Sequence, residues 1–201
     1  MQKAPRFVVG IDEVGRGPLA GPVTICAVMV PYKAYKRGVW SGLTDSKKMT
    51  KKSREHWYQK AKEMKEKGAI TYVVASKTAR EIDRQGIGAC ILRCVETALE
   101  TLEADPSHTL VLLDGSLHAP NTYTFQKTII KGDLTEKIIS LASVIAKVTR
   151  DGYMVKMAKR YPGYMWERNM GYGTKEHQKA LKKLGFTRLH RQSFCKYILD
   201  N

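Results

Sequence analysis

At 201 residues with 43% hydrophobic content, the chain is long enough to bury a substantial core, and no apolar run approaches the ~18 residues of a membrane span. Thirty-five Lys and Arg against 19 Asp and Glu give a formal charge of +16, which points to a polyanionic partner, nucleic acid ahead of a membrane surface. The amino terminus enters a strand pattern without the apolar stretch of a secretory leader, so the cytoplasm is the expected location.

The apolar run Phe7 to Ile11 delivers two adjacent carboxylates, Asp12 and Glu13, into the turn Gly15-Arg16-Gly17-Pro18. Strand interiors disfavour acidic residues, and neighbouring carboxylates repel unless something positive sits beside them; a divalent metal is the expected partner. In a fully extended strand the two side chains point to opposite faces, so both reach one metal only if the strand ends or bulges there. Gly15 is placed to provide that ending. Gly-Arg-Gly also lets backbone N–H groups approach an anion closely while the arginine reaches the same ligand.

Segments 6–12 and 22–30 read as an antiparallel pair of strands around this turn, and 70–75 reads as a third. Between them lie the loop 42–48, which carries Lys47, and a polar helix from about Thr50, whose hydroxyl is placed to cap it. Beyond Ser76 the spacing of Ile82, Ile87, Ile91, Leu92, Val95, Leu99 and Leu102 predicts a helical segment with one apolar face. Runs 109–113 and 123–130 read as strands that each finish with an aspartate, Asp114 and Asp133. A helix over about 135–159 follows, with Ile138, Ile139, Leu141, Val144, Ile145 and Val148 on its buried side. The remainder, 161–201, holds a Gly171-Tyr172-Gly173-Thr174 turn, a short helix over about 174–184 and a basic end. Cys26, Cys90, Cys94 and Cys195 fall in apolar patterns and are expected as buried free thiols.

This order, three strands in a meander and then helix, strand, strand, helix, is an α/β architecture: a mixed five-stranded sheet flanked by helices. Residues 1–201 are expected to form one domain, with 161–201 as a small helical C-terminal extension. Asp12, Glu13, Asp114 and Asp133 make a set of four carboxylates, hard oxygen ligands suited to Mg2+ or Mn2+. Two such ions about 4 Å apart activate water and stabilise a leaving alkoxide in phosphodiester hydrolysis. No metalloprotease histidine spacing, Gly-x-Ser-x-Gly elbow or Walker loop offers another route. The Gly15-Arg16-Gly17 turn lacks the spacing of a dinucleotide fingerprint.

Several blocks together resemble the ribonuclease HII family in order and approximate spacing, across residues 7–194. They are Gly10-Ile-Asp12-Glu13-Val-Gly15-Arg16-Gly17-Pro-Leu-Ala-Gly-Pro22, Thr44-Asp-Ser-Lys47-Lys48, Leu113-Asp114-Gly115, Lys131-Gly132-Asp133, Ser143 to Asp151, Gly171 to His177, and His190-Arg191-Gln-Ser-Phe194. The resemblance implies an RNase H-like fold and a monomeric endonuclease. Its implied activity is cleavage of RNA in RNA–DNA hybrids and at single ribonucleotides in duplex DNA, leaving 3′-hydroxyl and 5′-phosphate ends. Carried over by position, Asp12, Glu13, Asp114 and Asp133 are the metal-binding catalytic carboxylates, and Gly15, Arg16 and Gly17 the loop that recognises the ribose 2′-hydroxyl. Local sequence leaves Tyr172 open between an ordinary turn residue and a functional ring. The resemblance assigns it to packing on the deoxyribose that follows the ribonucleotide, with flanking glycines expected to let the ring approach the sugar.

Lys47, Ser143, Lys147 and Arg191 are candidate backbone-phosphate contacts. Asp151 is expected to be a surface or ion-pair residue on its helix instead of a fifth ligand. Val14 stands where other members often carry Ala, and Thr135 to Ala142 replaces a Ser-rich lead, but neither departure removes a reactive group. Arg16 favours type II over ribonuclease HIII, which typically has Gly-Thr-Gly. The rivals are a binding module without turnover and a different hybrid nuclease on the same fold. Four acids beside a phosphate path argue against the first, and the pairing of Gly-Arg-Gly with Tyr172 argues against the second.

Overall fold

The computed structural model describes residues 4–37, 40, 43 and 49–199, so the expected phosphate contact at Lys47 lies outside the described residues. Strands β1 (Phe7–Val14), β2 (Val23–Pro31), β3 (Thr71–Lys77), β4 (Thr109–Asp114) and β5 (Gln126–Ile129) form one sheet of order β3-β2-β1-β4-β5. The first three pair antiparallel, as the meander predicts. β4 joins β1 and β5 joins β4 in parallel, which makes the sheet mixed and puts β1 at its centre.

Central strands buried on both faces must be apolar on both, and β1 obeys that rule until its end. Val9 and Ile11 pack beneath helix α4 (Ile87–Thr101), where they meet Ile91, Val95 and Leu99. Val8 faces the other way, toward α6 (Lys137–Arg160) and α2 (Lys51–Glu66), with Ile138, Leu141, Ile145 and Trp57 around it. All four thiols are free and buried. Among the described residues no helix is long and apolar enough to cross a membrane.

Helix starts follow local capping chemistry. Thr50 accepts a hydrogen bond from the Ser53 amide at 3.1 Å, as its sequence position predicts. The apolar stripe after Ser76 is split in two: α3 (Ala79–Gln85), opened by a Thr78/Glu81 capping box, and α4, with the break at Gly86. Periodicity alone carries across such a break because both pieces bury the same side. Thr174 caps α8 (Lys175–Leu184) through the His177 amide. Four short helices among the described residues escape the periodicity: α1 (Tyr32–Arg37), α5 (Gly132–Thr135), α7 (Trp166–Asn169) and α9 (Gln192–Leu199). One or two turns leave too few repeats for a periodic signal.

Candidate active site

The parallel ladder between β1 and β4 ends at the pair Ile11↔Leu113. One residue further along each strand stand Asp12 and Asp114, and strand parity turns both to the α6 face, the side that Val8 and Leu112 occupy. β1 nevertheless runs on against β2 in unbroken register to Val14↔Thr24. No bulge interrupts the strand at Glu13, and it ends at Val14, where Gly15 turns left-handed (φ 85°) as its position predicts. β1 outruns its β4 neighbour, and along that uncovered edge Asp12 and Glu13 line the same cleft although they leave opposite faces.

Asp133 arrives by a different route from the strand end expected for it. β5 stops at Ile129, Lys131 takes a left-handed conformation (φ 55°), and the chain reverses into a single helical turn, α5 (Gly132–Thr135). The Asp133 amide donates to Asp114 Oδ1 at 3.2 Å, which ties the start of α5 to the third carboxylate. Asp133 is 2% exposed.

Burial raises the Asp12 carboxyl from 3.8 to about 8; the Ser143 hydroxyl opposes the rise, while the charges of Asp114 and Glu13 add to it. Asp12 Oδ1 also takes the Glu13 amide at 2.8 Å. Glu13 is raised by burial, opposed by Arg16 at 3.6 Å, and pushed further by Asp114. As the side chains stand, no group of three or more His, Cys, Asp or Glu among the described residues is arranged to hold a metal ion. The donor chemistry fits one all the same. Asp12 and Glu13 are carboxyls whose proton affinity stays raised although Arg16 lies beside Glu13, and a hard divalent cation supplies the further positive charge such a pair calls for.

Gly15, Arg16, Gly17, Ser143, Lys147 and Tyr172 join Asp12 and Glu13 around a cleft of about 250 Å³. Of the four expected phosphate contacts, Ser143 instead bonds Asp12 from α6. Lys147 lies on the wall that the cleft shares with a groove of about 760 Å³, where the cations Lys51, Arg54 and Arg168 stand among the acids Glu55, Asp151 and Glu167. Its ammonium is 2.8 Å from Asp151, so Asp151 is the ion-pair residue expected on that helix.

Arg191 does not fit a phosphate contact. It is 0% exposed, and its guanidinium donates to the carbonyls of Gly21, Arg16 and Gly15 at 3.0, 2.9 and 2.6 Å. A second buried arginine, Arg150, which sequence reading left without a role, donates to Pro22, Met170 and Ala20 at 2.9, 3.0 and 3.1 Å. Its signal was present in α6, because Arg150 falls one heptad after Ser143 on a stripe that continues to Met154 and should be apolar. Gly15, at φ +85°, has no room for a side chain, since a Cβ would lie 2.2 Å from Arg150 Nε.

Tyr172 is 42% exposed at the cleft, with the Arg150 guanidinium 6.0 Å from its ring centroid. Gly171 serves packing, not the sugar approach expected of it: a Cβ there would meet the Ala20 carbonyl at 2.3 Å. The Gly171 carbonyl accepts from the amides of Leu19 and Ala20 at 2.8 and 3.2 Å, which stitches the tyrosine turn to the glycine loop. Beneath that turn lies a histidine pair that sequence reading also missed. His177 Nδ1 bonds the Tyr172 carbonyl at 2.9 Å, and its Nε2 meets Trp166 Nε1 at 3.0 Å and His190 Nε2 at 3.2 Å. One pattern satisfies every atom: neutral His177 with its proton on Nδ1, accepting at Nε2 from both neighbours, and neutral His190 accepting the Thr187 amide at Nδ1. Burial and His177 lower His190 to about 4, and burial lowers His177.

A mixed sheet of this order, with carboxylates at the end of its central parallel pair, is the RNase H-like architecture. The Pyrococcus horikoshii OT3 ribonuclease H2 crystal structure superposes on it with a TM-score of 0.75 at 25% identity, covering 96% of this chain and 97% of that one. Bst-RNase HIII, solved in complex with Mn2+, shares the fold with a TM-score of 0.65 at 13% identity, over 100% of this chain and 72% of its own. A ribonuclease HII of Caldicellulosiruptor bescii is 42% identical over 195 residues, 97% of this chain and 89% of the relative. The family model for ribonuclease HII matches residues 9–197, and the chain belongs to that family, whose members cleave the RNA strand of RNA–DNA hybrids.

Proposed function

We propose that this protein cuts at single ribonucleotides embedded in duplex DNA as well as in longer hybrids, by divalent-metal-dependent hydrolysis that leaves a 3′-hydroxyl and a 5′-phosphate. The observation that carries this reading is the adjacency of two elements. Asp12 and Asp114 leave the sheet side by side, and the cleft that Asp12 enters is walled by Gly15 to Gly17 and Tyr172. Asp12, Glu13, Asp114 and Asp133 are the proposed holders of Mg2+ or Mn2+, two ions with substrate bound. When bound, the ions supply water activation and charge neutralisation at the departing 3′-oxygen.

The chain's own residues do the rest. Ser143 orients the Asp12 carboxyl, and the Asp133 amide orients Asp114. Gly17 is exposed, with open space where a side chain would stand, so a sugar can come against its backbone. A 2′-hydroxyl both donates and accepts, which an amide-lined loop beside a tyrosine hydroxyl can read. Lys147 lines the cleft and is a candidate phosphate contact, and the chain's formal charge of +16 supplies sequence-independent attraction. Residues 161–201 act as a substrate-binding extension of one catalytic domain, since they supply Tyr172 and reach back through Arg191 to the loop.

A DNA duplex carrying one ribonucleotide tests the reading. Wild-type protein in Mg2+ or Mn2+ is expected to nick it on the 5′ side of the ribonucleotide's reacting phosphate with the stated ends, and Asp12→Asn to leave it uncut. Intact duplex with wild-type protein in both metals overturns the substrate reading; wild-type rates from Asp12→Asn overturn the site.

A further inference from the structure

We infer that Arg150 and Arg191 are positioning residues that set the orientation of the recognition loop's amides and lock the Tyr172 turn against it. This rests on the reading of Gly15 to Gly17 and Tyr172 as the ribose-recognition element. Two guanidiniums, 1% and 0% exposed, lie close enough for Arg150 to lower the proton affinity of Arg191. Burying like charges together is costly unless each finds acceptors. Here the acceptors are main-chain oxygens: five of the six belong to residues 15–22, and the sixth is the Met170 carbonyl beside Gly171.

The planar trans peptide turns this into a statement about donors. In each peptide unit the carbonyl of one residue and the N–H of the next point in opposite directions. With the carbonyls of Gly15 and Arg16 drawn inward to Arg191, the N–H groups of Arg16 and Gly17 are turned away from it, in a loop that lines the cleft. Neither amide donates to a protein acceptor among the described residues. Two unspent donors in a segment without regular secondary structure are an anion- and hydroxyl-binding arrangement. Arg150 performs the second task. One guanidinium bonds Ala20 and Pro22 of the loop and Met170 of the tyrosine turn, beneath the Tyr172 ring, so loop and ring move as one body.

Lysine can occupy either position with its charge intact, but it lacks the planar fork that reaches three carbonyls. The test compares R191K and R150K with wild type in three measurements: kcat/KM on the duplex with one ribonucleotide, Kd for the all-DNA duplex of the same sequence, and calorimetric titration with Mn2+. The expected result for R191K is a loss of about 10- to 100-fold in kcat/KM, with all-DNA affinity and metal binding within about twofold of wild type. R150K is expected to show the same selective pattern, and it decides the matter if R191K fails to fold by circular dichroism. Cleavage within about twofold of wild type in a folded variant overturns the inference. So does a loss that appears equally in all three measurements, because that is what a smaller folded fraction produces. If wild type itself leaves the single ribonucleotide uncut, the reading of the loop fails before the role of the arginines is tested.

Discussion

The two sides of the cleft are built by different means. On the carboxylate side, Asp12 and Asp114 are placed by the backbone ladder: once Ile11 pairs with Leu113, their adjacency follows from register and parity. On the recognition side, residues 15–22 and 170–173 have no ladder of their own beyond one bridge, Ala20↔His190, and side chains join a few isolated backbone bonds, such as those of the Gly171 carbonyl, in the scaffold. Arg150 and Arg191 tie the carbonyls, and the Trp166, His177 and His190 cluster supports the tyrosine turn. A sheet edge therefore tolerates changes in its side chains without losing geometry, whereas a loop held by side chains loses geometry with them.

The largest expected effect falls on the sheet side. Asp114→Asn removes a charge that repels Asp12 and Glu13 and leaves the ladder intact, so activity on RNA–DNA hybrid should drop about a thousandfold with no fall in the thermal midpoint. A lowered midpoint would show that the carboxylate side, too, depends on its side chains for folding. On the recognition side, Trp166→Ala empties a fully buried site and removes the donor to His177, and denaturant melts should show a loss of about 3–5 kcal/mol. Stability near wild type would mean that the cluster is not the scaffold described.

The histidines sharpen the contrast through pH. Both have folded-state values below the ordinary 6.5, so the unfolded chain binds more protons below that point. Their contribution is present above pH 6.5 and is lost as pH falls from about 6.5 toward about 4. Urea midpoints measured across this interval should fall more steeply for wild type than for His190→Gln, and parallel profiles would remove the pair from the account. Tyr172→Ala should lower kcat/KM at a single ribonucleotide about tenfold and a long hybrid less, as measured by competition between the two substrates. The smallest effect is a control at the opposite end of β4 from Asp114. Tyr123→Phe, which removes the hydrogen bond to the Ala104 carbonyl, should cost about 1 kcal/mol in a melt and leave cleavage rates unchanged.

Local patterns made much of this legible. Apolar runs marked β1 to β4, the mixed segment 123–130 held the polar β5, and the stripe of α6 was readable from Ile138 onward because a long helix repeats its period many times. A single acid at a strand end can serve a turn or cap, but Asp12, Glu13 and Asp114 stood out together because each ends an apolar run instead of lying on a polar face. Asp133 was found but misplaced, since a strand that reverses through one left-handed residue into a single helical turn has no periodic signature. Arg191 was misread for a related reason. A basic residue near the chain's end looks solvent-facing until the fold brings it to residues more than 170 positions earlier, as its bonds to Gly15 and Arg16 do. The glycines beside Tyr172 were credited to a ligand when a neighbouring backbone claims at least Gly171.

By itself the sequence determined which residues bear charge at strand ends, the α/β order of elements, the helix caps and the family to which the chain belongs, because these are written in neighbouring residues and short spacings. Tertiary structure alone decided that β1 outruns β4, which lets Glu13 share the cleft with Asp12, and that two arginines face inward to backbone oxygens instead of outward to phosphate. The reason is physical. A carbonyl's partner in an irregular loop is chosen by proximity in space, and proximity between residues 15 and 191 exists only after the sheet and α6 have packed.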